Sequence, residues 1–420
     1  MFAANYIAIF TIMTKKQLSV LSIPVIVGAL GFFVDIYDLL LFSIVRKPSL
    51  ESFHLSPEAV LSQGEWIISL QMLGLMLGGF FWGVMGDKKG RLSVLFGSIV
   101  LYSLATIANG MAQNVFQYSI ARFVAGLGLA GELGASITLV CEMLPKEKRG
   151  IASSVIASVG VLGAISAFIV YKLFNDWRIC YYIGGGMGLL LLFLRMGVFE
   201  SSMYNELSDQ NIQKGNIWML FNNKSRFFRY MKGVAIGLPV WYVIGILITF
   251  SDKFGKELGV TEIIEPGKAI LYQYVALCFG DLSAGILSNI IKSRKKTLFI
   301  FYGILSFFIL LYFTMQNGTA DRMYWLCAGV GFGSGISVLY ITMSAEQFGT
   351  NLRATTAISI PNVVRGILPL IIILFKAIRT GIGDYITGGW ITGILIMLVA
   401  IAAAFYTNET FGREMNYVEE

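Results

Sequence analysis

Twelve apolar stretches run along this chain of 420 residues, at approximate limits 18–45, 63–86, 92–111, 116–142, 150–171, 177–197, 230–251, 268–291, 297–315, 322–345, 354–375 and 384–405. Each is long enough to cross roughly 30 Å of hydrocarbon as a helix. The rest of the composition agrees. Residues are 56% hydrophobic and only 14% charged, with a mean hydropathy of +0.72, whereas a soluble globular chain carries about 25% charged residues. That excludes a water-soluble protein, a disordered chain and a coiled coil. With four cysteines, a disulfide-rich module is excluded as well. Forty-six glycines and 14% aromatics suit tightly packed helices in a bilayer.

The net charge of +7 reads as loop charge that orients the spans. No aromatic-interleaved basic stripe or zinc-like cysteine spacing points to nucleic acid. Cys141, Cys180, Cys278 and Cys327 lie far apart in or beside apolar segments and read as reduced packing residues. With the N-terminus inside, Lys and Arg favour the inner loops about two to one over the outer ones, which places both termini in the cytoplasm; Arg195 counts among the inner flanking charges. The longest polar segment joins two groups of six spans. The expected organisation is an N-terminal segment 1–17, a bundle over 18–197, a linker over 198–229, a second bundle over 230–405 and a tail over 406–420. Residues 1–12 read as an extension or an upstream start. Within the linker, Ile217 to Phe221 reads as a short amphipathic helix on a membrane face.

The spacing of charges repeats. Glu142 and Arg149 recur as Glu346 and Arg353 at an offset of 204, and Arg91 recurs as Arg294 at 203. Two agreeing offsets predict an all-α membrane protein of two six-helix repeats in the same order, with a site between them.

Between spans 2 and 3 stands Gly83-Val84-Met85-Gly86-Asp87-Lys88-Lys89-Gly90-Arg91. Its glycines allow a tight turn and close helix approach, and Asp87 is placed to accept from backbone N–H groups and face a cation. This segment resembles the signature loop of the major facilitator superfamily, departing from it at Leu92; in the second half Ile290 stands where Asp87 would. Span 4, from Arg122 through Gly126, Gly128 and Gly131 to Glu132, with Glu142, Pro145 and Arg149 beyond, resembles the sugar-porter and metabolite:proton-symporter branches. Gly31 to Leu39 in span 1 is similar to phosphate:proton and metabolite:proton symporters, and there is a likeness to nutrient permeases of intracellular bacteria. The superfamily resemblance implies twelve helices and alternating access. It places a cytoplasmic gate at Gly83, Gly86, Asp87, Gly90, Arg91, Glu142, Arg149, Glu346 and Arg353.

Ionisable residues inside spans are functional candidates by default. At the helical rise, Asp35 lies about 28 Å from Lys16 and Arg122 about 30 Å from Glu142, so these depths match, and the sugar-porter resemblance implies the same pair. Asp281 and Arg365 match likewise on spans 8 and 11. Both pairs would also serve as glue between helices. Asp38 and Glu132 are then left without a basic partner, and proton coupling is expected at Asp35, Asp38, Arg122 and Glu132. The single histidine, His54, falls in an outer loop. Substrate binding is expected at Tyr37, Trp241, Tyr242, Asp281, Asn362 and Arg365, with span 7 broken at Pro239; Glu65 and Gln71 are weaker candidates.

These features predict a monomeric secondary transporter of a bacterial inner membrane. It would take up a small polar metabolite, an amino acid or related zwitterion, together with protons, and would need no cofactor and no metal. An efflux pump of the same fold, a siderophore or organic-anion transporter and a non-transporting receptor are the alternatives. An enzyme is not expected, since no nucleophile–base or metal constellation appears.

Overall fold

A computed structural model describes residues 19–195 and 214–420; the expected N-terminal segment and residues 196–213 of the linker lie outside them. Among the described residues, twelve helices are long and apolar enough to span a bilayer. They are α1 (Ile23–Glu51), α2 (Pro57–Lys89), α3 (Arg91–Met111), α4 (Val115–Met143), α5 (Lys146–Phe174), α6 (Trp177–Leu194), α7 (Lys224–Ile248), α8 (Pro266–Ile291), α9 (Arg294–Thr314), α10 (Ala320–Gln347), α11 (Arg353–Ile382) and α12 (Tyr385–Phe405). Large apolar side chains such as Phe116, Leu173, Phe193 and Leu370 stand more than half exposed on the outside of the bundle, where a bilayer covers them. The chain is a multi-pass membrane protein of two six-helix repeats.

Local chemistry sets the helix ends. Ser56 accepts from the Ala59 amide at 3.3 Å and Pro57 opens α2, as cap and first-turn residues do. Gly90, at φ 93°, ends it, a conformation open to glycine without penalty. The short helix Trp218–Phe221 precedes α7. Trp218 and Phe221 face outward while Met219 and Leu220 are buried, as an interfacial helix requires.

The internal repeat is geometric as well as sequential. A Cβ added at Gly126 in α4 would stand 2.3 Å from the carbonyl oxygen of Gln71 in α2, and one at Gly331 in α10 would stand 2.4 Å from that of Gln273 in α8. Helix backbones approach this closely only where a small residue stands between them. Both helices also break at matching places, α4 between Leu129 and Glu132 and α10 between Gly333 and Ser337. In α7 the expected break at Pro239 is displaced. The α-helix runs through Pro239 to Tyr242 and becomes π-helical over Val243–Ile248. Proline removes one backbone donor and crowds the preceding turn, and the wider π turn beyond it absorbs the distortion.

The halves meet along α2 with α11 and α5 with α8. One large apolar core draws on both halves. A second, around Phe42, Tyr118 and Trp177, belongs to the first half alone. The halves are thus fused towards the end that carries the α2–α3 and α8–α9 loops, called the loop end below.

Candidate functional site

At the loop end, Glu142 accepts from Arg91 at 2.7 Å and from Arg353 of the other half at 2.9 Å. The Asp87 carboxylate accepts from the amides of Ala354 and Thr355, at 2.9 and 2.8 Å. These amides open α11, and a carboxylate suits the positive end of a helix. Gly83 makes the approach possible, since a Cβ there would come 2.8 Å from Thr355 Cα, and Gly86 packs on Ala354. Gly90 supplies the turn that brings Arg91 back. The second half repeats part of this: Arg294 donates to Glu346 at 3.2 Å.

This cluster differs from a symmetric one. Glu346 and Arg353 do not pair within their own half; Arg353 crosses to Glu142, while Glu346 takes Arg294 and Thr410. Arg149 donates to the carbonyls of Leu144 and Arg413. Ile290, at the place of Asp87 in the repeat, is exposed. Further contacts seal the seam to mid-depth: Asn362 donates to the Ala130 carbonyl at 2.8 Å, and Ser158 to that of Cys278 at 2.9 Å.

Above this seal lies a cavity of about 50 Å³ between the halves, room for a few waters. Phe32, Ile36 and Leu39 of α1 form one wall; Trp241, Tyr274 and Tyr340 form the other, and Asp281, Ser337 and Arg365 supply the polar groups. Arg365 lies 5.9 Å over the Trp241 ring and donates to Asn362 Oδ1 at 3.3 Å. No ion pair joins Asp281 to Arg365 among the described residues. Both Asp281 oxygens accept from Ser337 Oγ instead, at 2.7 and 2.8 Å. Equal depth brought the two to one cavity but not into contact, because α8 packs on α5 and α10 while α11 packs on α2. Of the other residues expected to bind substrate, Trp241 lines the wall. Tyr37 and Tyr242 do not: their hydroxyls donate to the carbonyls of Cys180 and Gly389 inside their own halves. Asn362 serves the seam and Arg365. Glu65 is exposed and Gln71 buried.

Inside the first half, the expected pairing shifts by one turn. Arg122 binds Asp38 at 3.0 Å, not Asp35, and Asp38 also accepts from Thr106 at 2.9 Å. Glu132 is not left without a cation either, since Arg195 donates to it and to the Leu95 carbonyl. Arg195 caps the end of α6 and is 1% exposed; its side chain turns inward, so it is not a flanking loop charge. Asp35 is 1% exposed, and among the described residues neither of its carboxylate oxygens has a hydrogen-bond partner. The charges that bear on it are Arg365 across the cavity, Glu132, Asp38 and Arg195.

Ser337 escaped the sequence reading. Its signal was positional: it opens the lower half of α10 just after the break, as Glu132 does in α4.

The family profile described as Major Facilitator Superfamily matches residues 6–373. A putative metabolite transport protein of Haemophilus influenzae is 25% identical over 419 residues, 93% of this chain and 96% of that protein. The niacin transporter NiaP of Acinetobacter baylyi is 27% identical over 360 residues, 78% of this chain and 80% of its own. Among solved structures, the proton:xylose symporter XylE bound to 6-bromo-6-deoxy-D-glucose superposes with a TM-score of 0.73 at 17% identity, covering 94% of this chain and 97% of that one. That likeness is one of fold.

Proposed function

This chain belongs to the major facilitator superfamily, and we propose that it carries a small organic carboxylate into the cell together with a proton, by alternating access. The observation that carries this reading is Arg365, a cation held 5.9 Å from the Trp241 ring in a cavity whose other walls are apolar and aromatic apart from Asp281 and the Ser337 bound to it. A guanidinium presents a planar fork that fits a carboxylate, and the aromatic wall suits a flat, apolar body. Niacin, named for one relative, is a carboxylate on an aromatic ring.

A second reading keeps the zwitterion. Asp281 lines the same cavity and would receive the ammonium of an amino acid whose carboxylate lies on Arg365.

Coupling is proposed at Asp35. Asp38 is held by Arg122 and Glu132 by Arg195, which leaves Asp35, of these three, as the carboxylate without a donor among the described residues. Arg365 bears on Asp35. A substrate carboxylate that occupies Arg365 withdraws that charge from Asp35, so proton and substrate enter together. With the loop end in the cytoplasm of a bacterial inner membrane, as the Lys and Arg bias favours, the sealed end faces inward and the cavity is served from outside.

Proteoliposomes test the reading. With an inward proton gradient they are expected to accumulate labelled nicotinate or benzoate, and accumulation is expected to stop when the gradient is dissipated. Accumulation of glutamine or lysine but of neither carboxylate would favour the zwitterion. Loss of preloaded substrate from right-side-out vesicles, with no uptake of any, would make the protein an efflux pump.

A further inference from the structure

Residues 407–420, beyond α12, run without regular secondary structure across the loop end, turn at Phe411–Gly412, and bond to it every few residues. Glu409 caps α9: its carboxylate accepts from the Ser293 hydroxyl and from the amides of Arg294 and Lys295, the last two at 2.9 and 3.2 Å. Burial pushes that carboxyl up, but the Ser293 hydroxyl and the neighbouring amides hold it below the ordinary range. Thr410 donates to Glu346 at 2.7 Å. Tyr417 accepts from the Thr350 amide at 2.8 Å and donates its hydroxyl to the Gln347 carbonyl at 2.6 Å. The Glu419 backbone exchanges two 2.9 Å bonds with the Asn351 side chain, and its carboxylate takes Arg229 of α7 at 2.7 Å.

Two contacts in this run concern the seam between the halves. Arg149, at the start of α5, donates across it to the Arg413 carbonyl at 3.3 Å. Arg353 sends Nη1 to Glu142, Nη2 to the Met415 carbonyl and Nε to the Ala345 carbonyl of its own half, and Met415 is 1% exposed. A guanidinium is rigid and planar, so fixing Nη2 on the Met415 carbonyl, with Nε on Ala345, aims Nη1 across the seam.

We infer that residues 407–420 form a strap that holds the loop end closed, orienting Arg353 towards Glu142 and tying Arg149 of the first half to the second. The strap moves with the second half and releases Arg149 each time the halves part. The inference rests on the halves alternating, as proposed above, and not on which substrate they carry.

Hydrogen exchange of the full chain in nanodiscs, with no substrate present, tests it. Two variants are compared with the parent: one stopped after Gly412, and Glu419→Gln, which loses the Arg229 pair while keeping the whole strap. The readout is the start of α11, where the Ala354 and Thr355 amides bind Asp87 across the seam. In the stopped variant these amides are expected to exchange about fivefold faster, as a modest shift of a local opening equilibrium gives. Glu419→Gln is expected to do the same to a smaller degree. The far end of α1, around Phe42 to Leu50, is expected to exchange more slowly, because rocking closes that end as the loop end opens. Lost packing alone would not slow it. Unchanged exchange at the α11 start in both variants overturns the strap, and so does faster exchange at both ends. Failure of carboxylate uptake leaves this outcome untouched.

Discussion

Arg353 Nη1 stands 2.9 Å from Glu142 Oε1, although the two residues are 211 apart in sequence and belong to different halves. The same oxygen receives Arg91 at 2.7 Å, and all three side chains are fully buried. One carboxylate therefore gathers two guanidiniums at the point where the halves meet. Removing one partner from a buried pair costs about 3–5 kcal/mol, because a buried charge is left behind. Glu142→Gln keeps the shape and removes the charge. The open state, in which water reaches the arginines, is then favoured. Initial uptake in proteoliposomes is expected to fall at least about tenfold, as a shift of 1.4 kcal/mol implies, with the protein still monodisperse. Uptake at the parent rate would count against Glu142 as the closing residue.

Asp35 and Asp38 lie one turn apart and are expected to fail in different ways. Asp38→Asn weakens the carboxylate that, among the described residues, is bound to Arg122, so its melting temperature should drop by several degrees, as a loss of about 1–3 kcal/mol does. Asp35→Asn removes no hydrogen bond seen in the structure. It should melt near the parent, exchange internal for external substrate, and no longer accumulate it in response to a proton gradient. Thermal melts and paired uptake and counterflow assays separate the two. Concentrative uptake by Asp35→Asn would remove Asp35 from the proton path.

Arg195 and Glu132 form a pair that a double-mutant cycle can measure. Arg195→Met strands the Glu132 carboxylate among buried groups, and Glu132→Gln strands the guanidinium, so each single change should lower the melting temperature clearly. The double variant leaves neither partner's charge stranded and should recover much of the loss, since replacing both partners of a buried pair is often close to neutral. Melts of all four proteins decide it. Simple addition of the two losses would mean that the pair is not coupled.

These residues also mark how far the sequence could be read. The spans and the repeat were legible because run length and offset are one-dimensional quantities. The Glu142 and Glu346 spacing reappears as two guanidinium–carboxylate contacts at equivalent helix ends. The partner of Arg122 was not legible, because depth reckoned at about 1.5 Å per residue separates Asp35 from Asp38 by less than one helical turn. Arg195 looked like a flanking charge because it follows the last apolar residue of α6; only the fold shows that its side chain turns in to Glu132 instead of out to water. Asp281 and Arg365 share a depth, but depth does not say which helices are neighbours. Ser337, a common residue in an apolar span, gains meaning only from the break in α10 that places it on Asp281.

Arg365 is where substrate chemistry can be tested most directly. It lines the cavity, is 6% exposed, donates to Asn362 and lies over Trp241. Lysine in its place keeps the charge but loses the planar fork and the broad guanidinium that lies 5.9 Å from the indole centroid. For a carboxylate such as nicotinate, Arg365→Lys is therefore expected to raise the dissociation constant about 10- to 100-fold, the range given by losing one charge-assisted hydrogen bond. Arg365→Ala is expected to raise it further. The uncharged amide nicotinamide is the control, because it offers the same ring without the anion. In the parent, nicotinate should bind far more tightly than nicotinamide; in Arg365→Ala the two should converge, the carboxylate losing its partner and the amide losing little. Trp241→Leu should weaken both ligands together, since it removes the surface under the ring and leaves the cation. Binding by scintillation proximity on purified protein gives all of these constants without transport. If nicotinate and nicotinamide weaken equally in Arg365→Ala, Arg365 supports the cavity wall and does not read the charge of the substrate.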